Sequence, residues 1–260
     1  MRINNIYKPK RRIKMRKLTK LFSVLLVLTL LVGSLASCNK AKKLGKMIDG
    51  ANAALAEQPY AVDIVIEYKA DDADMIAALE ALSTPSVKIN VDGDKFKARL
   101  DLAYGSDENY VTYTFIDGTL YTEWREDGNT VRDSRPYSDE DKAALRDSFG
   151  EGANIGTEDF EEVELKSAGK VDRITCTKIK DAPLNALIAS LEADLASFDA
   201  DVAIKNATLD IEIDNGRYNV VVFTCEYFIT TSTDSYSLTM TYSSKFNYTK
   251  ELEIVAPIME

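Results

Sequence analysis

Alternation of apolar and polar residues with a period of two is the feature that most constrains the fold of this 260-residue chain. The clearest example lies near the C-terminus, where four apolar residues alternate with Ser and Thr: Tyr236, Leu238, Met240 and Tyr242. Successive side chains of a β-strand point to opposite faces of the sheet, so such a segment buries one face and leaves the other in water. Similar alternation begins at Tyr60 and recurs along the chain, which predicts a domain rich in strands.

Short turn signals separate these alternating segments. Asp117-Gly118 and Asp127-Gly128 each lie between two such segments, as do Asp92-Gly93-Asp94 and Asn215-Gly216. Asp-Gly and Asn-Gly readily adopt the positive φ angles that two-residue hairpin turns require. We therefore expect about nine to eleven strands, joined by hairpins into an antiparallel sheet.

Four segments have helical spacing instead, at roughly 41–57, 72–82, 138–150 and 183–198. The fourth is the clearest, because six apolar residues trace one face: Leu184, Leu187, Ile188, Leu191, Leu195 and Phe198. A sheet this long curls, and its apolar face needs cover. The sequence therefore predicts the α+β class, with a long curved antiparallel sheet (an incomplete β-barrel) wrapped over about four helices.

The N-terminal segment differs from the rest of the chain in charge. Residues 1–37 carry nine Lys and Arg and no Asp or Glu, and an apolar run of about 12 residues extends from Leu21 to Val32. A basic region, a short apolar core and small residues form a secretory signal peptide. The run is shorter than the roughly 20 residues that span a bilayer as a helix.

The motif Leu35-Ala36-Ser37-Cys38 ends this segment and resembles the lipobox of bacterial lipoproteins. In that family the Cys thiol carries a diacylglyceryl group with acyl chains such as palmitate, the peptide is cut before the Cys, and the Cys becomes the first residue of the mature protein. The resemblance implies a signal peptide over 1–37, a lipidated tether over 38–45 and a single domain over 46–260. It implies an envelope protein on the outer face of the cytoplasmic membrane, or in the outer membrane of a two-membrane envelope. An ordinary signal peptide is the alternative.

Charge and composition exclude several classes of function. Nine of the 32 basic residues lie in the leader, which leaves 23 basic against 42 acidic residues in 38–260, a net charge of −19. Such a domain repels nucleic-acid phosphates, so we expect no nucleic-acid partner. The chain has no His, which excludes Ser-His-Asp triads, Cys-His dyads and His-containing zinc sites. We predict no enzyme activity, no catalytic residue and no cofactor.

Two acidic clusters could suggest calcium binding, one of five residues and one of three: Glu158, Asp159, Glu161, Glu162 and Glu164, and Asp139, Glu140 and Asp141. No segment fits an EF-hand loop, since the sixth position counted from Asp210 is Asn215 where Gly is required. We interpret these clusters as solvated acidic surface and predict no metal site.

Cysteines and aromatic residues allow two interpretations each. Cys176 and Cys225 fall on core-facing positions. If strands pair in sequence order, one strand lies between the two that carry them, and the distance between their Cα atoms exceeds the limit for a disulfide. We therefore favour free thiols. An exported location would also permit a disulfide under another strand order. Nine aromatic residues on or beside strands either line a cavity or pack the sheet: Tyr104, Tyr110, Tyr113, Tyr121, Trp124, Tyr227, Tyr236, Tyr242 and Tyr248.

Three stretches and the order of elements are similar to LolA/LppX-like lipoprotein carriers and lipid-binding proteins. The stretches are 169–179 with the helix that follows, 209–214 before the Asn-Gly turn, and 246–257. The resemblance implies a half-open barrel that holds a lipid or another apolar ligand between sheet and helices, and it assigns no ligand-binding residues. The alternative function is an envelope protein-protein or cell-wall interaction module with a solid core. A hydrolase without His, acting through two carboxylates, ranks last.

Overall fold

The computed structural model describes residues 39–72, 86–92, 97–104, 106–126, 128–139, 141, 155–195, 201–230, 235–248 and 252–259. Six strands lie in the N-terminal half: β1 Tyr60–Ala70, β2 Ser86–Asp92, β3 Lys97–Tyr104, β4 Ser106–Ile116, β5 Thr119–Glu126 and β6 Asn129–Pro136. Five follow: β7 Phe160–Ala168, β8 Val171–Ile179, β9 Asp201–Asp214, β10 Arg217–Thr230 and β11 Ser235–Asn247. Helix α1 is Asn39–Glu57, helix α2 is Asp181–Leu195, and Thr157–Asp159 forms a short 3₁₀ helix.

All eleven strands belong to one antiparallel sheet, in the order β6-β5-β4-β3-β2-β1-β11-β10-β9-β8-β7. Strands pair with their neighbours in sequence except β6 and β7, which do not pair, and β1 pairs with β11 at the centre. The sheet thus consists of two meanders joined through β1 and β11. It is not closed, because β6 and β7 are its two edges among the described strands.

One face of the sheet, which we call the inner face, carries the core. Ile64 of β1, Leu209 of β9 and Ile174 of β8 lie on it with no exposed surface. The same apolar cluster includes Leu44, Ile48, Ala51 and Leu55 of α1 and Leu187 of α2. Both helices therefore lie on the inner face, while residues such as Asp63 and Glu67 of β1 are exposed on the outer face.

Helix α1 crosses the strands of the sheet. Its Lys43 Nζ donates to Ser167 Oγ of β7 at 3.2 Å, and nine residues later Asn52 Oδ1 accepts from the Tyr218 hydroxyl of β10 at 2.9 Å. Ser167 and Tyr218 lie in one cross-strand row, linked through Asp172 and Ile213. The distance across three strand spacings of about 4.8 Å is close to the length of nine helical residues, each of which rises about 1.5 Å along the helix axis. Helix α1 thus spans β7 to β10 at the end of the sheet where the β7–β8 and β9–β10 turns lie.

The predicted fold class is wrong. The described residues are mostly strand with two helices, so the protein is mostly β and is not an α+β sheet wrapped over about four helices. The physical reason is the continuity of the sheet, because eleven strands pair edge to edge and α1 and α2 are the α-helices that the described ranges contain in full. The expectation of about nine to eleven antiparallel strands is confirmed, since the described sheet has eleven.

Two of the four predicted helices are confirmed, as α1 and α2. The helix expected at 72–82 lies almost wholly outside the described residues. The helix expected at 138–150 is described only at its start, where the backbone N–H of Ser138 donates to Asp141 Oδ2 at 2.8 Å and that of Asp141 donates to Ser138 Oγ at 3.1 Å. This reciprocal pair is a capping box, as the Ser-x-x-Asp spacing predicts.

Candidate functional site: the inner face of the sheet

The predicted lipidation site, Cys38, lies outside the described residues and directly precedes α1 in the sequence. None of the described helices is long and apolar enough to cross a membrane.

The centre of the inner face is apolar and has no charged group. Every buried residue in the described part of the chain is apolar except Thr112, Thr114, Thr157 and Ser244. Strand β11 lies in the middle of this face between β1 and β10. A ligand in contact with these central strands would therefore meet hydrocarbon, aromatic rings and a few neutral polar atoms.

Two of those neutral polar atoms stand out on β11. The Tyr242 hydroxyl and Ser244 Oγ are buried, and neither has a hydrogen-bond partner within the part of the chain that the structure describes. Tyr242 is 3% exposed and Ser244 is 0% exposed. Burial raises the pKa of Tyr242 far above its ordinary value, so the hydroxyl keeps its proton and remains a donor.

Apolar side chains flank both hydroxyl-bearing residues. Across the sheet, Tyr242 pairs with Ile66 of β1 and Phe223 of β10. Ser244 pairs with Ile64 and Val221 on the same two strands. Alternation places all six side chains on the inner face, so both hydroxyl-bearing residues lie within an apolar surface.

An aromatic cluster lies towards the end of the sheet that α1 covers. The ring centroids of Tyr60 and Phe246 are 6.2 Å apart, and those of Tyr218 and Phe246 are 5.7 Å apart. The Arg217 guanidinium lies 5.4 Å from the centroid of the Tyr248 ring. Burial raises the pKa of Tyr60 to about 12, and the nearby Tyr248 adds to this shift. With Asn52 bonded to Tyr218, this cluster and α1 pack that end.

At the opposite end the apolar side chains are only partly covered. Four half-buried residues towards this end pack against the core: Tyr68, Ile204, Ile229 and Met240. Helix α2 lies here because it connects the end of β8 to the start of β9. Of its described side chains only Leu187 is buried, whereas Leu184 and Ile188 are half-buried. This end therefore leaves some apolar inner-face surface within reach of solvent.

The two cysteines of the sheet are free and buried, as predicted. Strand β9 lies between β8, which carries Cys176, and β10, which carries Cys225. Burial raises the pKa of both thiols to about 12, with nearby carboxylates adding to the shift. Both are therefore protonated at neutral pH and are poor nucleophiles.

The two acidic clusters lie at opposite edges of the sheet, and three of their members form ion pairs with neighbouring cations. Glu162 lies 2.7 Å from Lys178 Nζ, and Glu164 lies 3.2 Å from Lys166 Nζ. In the second cluster Asp141 pairs with Arg135, whose hydrogen bond lowers the pKa of Asp141 well below its ordinary value. The described residues contain no group of three or more Cys, Asp or Glu able to hold a metal ion.

The nine aromatic residues singled out from the sequence divide between the two faces. Tyr113, Trp124, Tyr227, Tyr236, Tyr242 and Tyr248 occupy inner-face positions, whereas Tyr110 and Tyr121 lie on the outer face and the side chain of Tyr104 is not described. Sequence reasoning missed Tyr60, Tyr218 and Ser244. The signal for Ser244 was its position two residues after Tyr242, because that spacing places both residues on one face.

The outer face of β3 to β6 carries a polar network. Asp101 accepts hydrogen bonds from Arg99 at 3.0 Å and from Thr112 at 2.8 Å. One strand further on, Glu123 accepts from Tyr110 at 2.8 Å and from Arg132 at 2.5 Å. Burial raises the pKa of Glu123, but the bonds from Arg132 and Tyr110 outweigh it, so the net shift is downward. These contacts join the four neighbouring strands β3, β4, β5 and β6.

Comparison with known proteins assigns no family. No family model and no curated protein matches the chain. Among solved structures, the ywiB protein from Bacillus subtilis is 9% identical, with 72% of this chain and 91% of that chain covered, at a TM-score of 0.17. A tesB protein of Mycobacterium avium subspecies paratuberculosis is 13% identical, with 80% of this chain and 86% of that chain covered, at a TM-score of 0.10. An acyl-CoA thioesterase II of Mycobacterium marinum is 9% identical, with 80% of this chain and 88% of that chain covered, also at a TM-score of 0.10. Similarity this low assigns neither a shared fold nor an activity to this chain.

Proposed function

We propose that this protein is a bacterial envelope lipoprotein, anchored to a membrane through acylated Cys38, that binds a lipid or another apolar ligand on the inner face of its sheet. The observation that carries the anchor is the Leu35-Ala36-Ser37-Cys38 box, which ends directly before the helix that docks on the sheet. Two acyl chains supply stable membrane attachment, at about 0.8 kcal/mol for each buried CH₂ group.

Ligand binding is supported by the uneven cover of the inner face. Helix α1 and the aromatic cluster pack one end, and half-buried apolar residues such as Ile229 and Met240 lie towards the other. Since Cys38 directly precedes α1, the partly covered end lies farther from the anchor along the strands. A ligand would enter there, past α2.

A second candidate function is a protein-protein module. Three large apolar side chains near the C-terminus are exposed: Val255 at 54%, Ile258 at 78% and Met259 at 43%. A partner that covers them would bind outside the sheet interior, so truncation of 255–259 separates this function from lipid binding.

The anchor is tested by growing cells that express the full chain with an alkyne-tagged palmitate and detecting the tag on the purified protein. We expect labelling of the wild type and of Cys176→Ser, and none of Cys38→Ser, which should also leave the membrane fraction. Labelling of Cys38→Ser would contradict the anchor.

Ligand binding is tested on the same preparation by chloroform–methanol extraction. The extraction should release a non-covalent lipid at about one molecule per chain, and a lipid-free wild type would contradict ligand binding.

A further inference from the structure

Three buried hydroxyls of the inner face, those of Tyr242, Ser244 and Tyr248, have no hydrogen-bond partner within the described part of the chain. Tyr248 lies in the aromatic cluster under the Arg217 guanidinium, whereas Tyr242 and Ser244 lie among apolar side chains at the centre of the face. Buried polar groups in proteins are almost always hydrogen-bonded, and a buried hydroxyl without a partner opposes folding. Phe and Ala would fill these positions without that cost. The adjacent placement of both groups on the central strand points to a partner that is not part of the described chain.

We propose that the Tyr242 and Ser244 hydroxyls bind the uncharged oxygen-bearing head of an amphiphile, such as the ester or alcohol of an acylglycerol, whose acyl chain lies along the inner face. This inference rests on the proposed function and names the ligand class of the same site. Both side chains can donate a hydrogen bond, and an ester carbonyl or an alcohol can accept one. Ile64, Ile66, Val221 and Phe223 beside them provide contact for methylene groups.

The charge of the interior selects a neutral head over an anionic one. None of the buried residues in the described ranges is charged. Two cations on elements that pack at this face have other contacts, since Lys43 donates to Ser167 and Arg217 lies over the Tyr248 ring. A carboxylate or phosphate at Tyr242 would be buried without a counter-charge, which strongly disfavours it. The site should therefore prefer a monoacylglycerol to the fatty acid of the same chain length.

The test uses the full chain purified from membranes in mild detergent and stripped of lipid, with monoolein and oleate as probes and native mass spectrometry as the readout. We expect the wild type to bind monoolein at least tenfold more tightly than oleate at pH 7. Tyr242→Phe and Ser244→Ala should each weaken monoolein binding about five- to tenfold and the double variant more, as expected for the loss of one and then two hydrogen bonds. Oleate binding should change little.

Two substitutions on the outer face serve as matched controls. Ser243→Ala alters the neighbouring residue of β11, and Tyr121→Phe removes a hydroxyl from β5; both should bind monoolein like the wild type. Ligand-free Tyr242→Phe and Ser244→Ala should melt at or above the temperature of the wild type, because neither loses a hydrogen bond within the fold. This separates loss of binding from loss of folding.

Each outcome decides a different statement. If the wild type binds neither probe, ligand binding itself fails. If Tyr242→Phe and Ser244→Ala bind monoolein as tightly as the wild type does, the proposed function stands but the hydroxyl site is overturned. That result is expected if the two hydroxyls bind only water. Equal affinity for oleate would overturn the preference for a neutral head. A lower melting temperature of both ligand-free variants would show that the hydroxyls have partners within the fold.

Discussion

The two wings of the sheet, β3–β6 and β8–β11, obtain their stability in different ways. Strands β9, β10 and β11 have 14, 14 and 13 residues, and their inner-face side chains belong to the main core. Strands β5 and β6 have eight residues each, and every residue of β6 is exposed. The second wing thus depends on burial of apolar surface under α1 and α2.

The first wing depends more on polar contacts. Its separate inner cluster consists of Ala98, Phe115 and Leu120, with Tyr113 and Tyr137 packed against it. On the outer face, Asp101 and Glu123 accept hydrogen bonds from neighbouring strands. A wing of this kind resembles a surface meander, whose pairs are partly solvated and weaker than buried contacts. Burial thus decreases across the first wing, from Leu100 and Leu102 of β3 in the main core to β6, which is exposed throughout.

The largest expected effect is a cavity in the second wing. Leu209 on β9 has no exposed surface, so Leu209→Ala should lower the free energy of unfolding by about 2–5 kcal/mol through lost transfer free energy and an unfilled cavity. Urea unfolding followed by circular dichroism gives this value. The matched change in the first wing, Val131→Ala on β6 at 38% exposure, should stay within about 0.5 kcal/mol. Equal losses in both variants would break the contrast between the wings.

A smaller effect is expected at two equivalent hairpin turns, one in each wing. Asp117 and Gly118 have φ angles of 49° and 80°, and Asn215 and Gly216 have 51° and 76°. A Cβ on either Gly meets no atom within 4 Å, so substitution costs only the strain of an L residue at positive φ. Gly118→Ala and Gly216→Ala should each destabilise by about 1 kcal/mol.

Hydrogen exchange of both turn variants shows whether the two wings unfold together or separately. If the sheet unfolds as one unit, either change lowers protection in both wings equally. If Gly118→Ala lowers protection only in β3–β6 while Gly216→Ala lowers it in the whole sheet, the first wing unfolds as a separate unit of lower stability. Unchanged global stability in Gly216→Ala would contradict the turn geometry.

Local sequence signals predicted the strands and turns, whereas long-range pairing was beyond them. Alternation located β1 and β11 to within a residue or two, because each buries one side of a pleated strand. Their pairing, which brings Val62 opposite Phe246, joins residues far apart in sequence and depends on how the two meanders dock. Helical cover was overestimated because periodicity shows that a helix has an apolar face but gives no direction for its axis, and α1 lies across the strands.

The inner-face site was predictable in part. Spacing assigned Tyr242 to the buried face and the composition indicated a lining of amphipathic rings. The lack of partners at the Tyr242 and Ser244 hydroxyls depends on every neighbouring side chain and has no sequence signal. The lipobox at Cys38 is a local motif, so the sequence alone contains all of it.

The smallest expected effect concerns pH in the first wing. Hydrogen bonds from Arg132 and Tyr110 lower the net pKa of Glu123 against the effect of burial. A carboxyl whose pKa is lower in the folded chain stabilises the fold above its unfolded pKa, and this contribution disappears as the pH falls through the folded pKa. At pH 7, Glu123→Gln should therefore cost less than about 1 kcal/mol, since the pair is partly solvated. Urea midpoints measured from pH 7 to pH 3 should converge for the two proteins as the wild-type carboxyl becomes protonated. Glu67→Gln on the exposed outer face of β1 is the control, and its urea midpoint should follow that of the wild type throughout. If the difference in urea midpoint between the wild type and Glu123→Gln stays constant down to pH 3, the substitution acts through side-chain packing. That result would contradict the electrostatic difference between the wings.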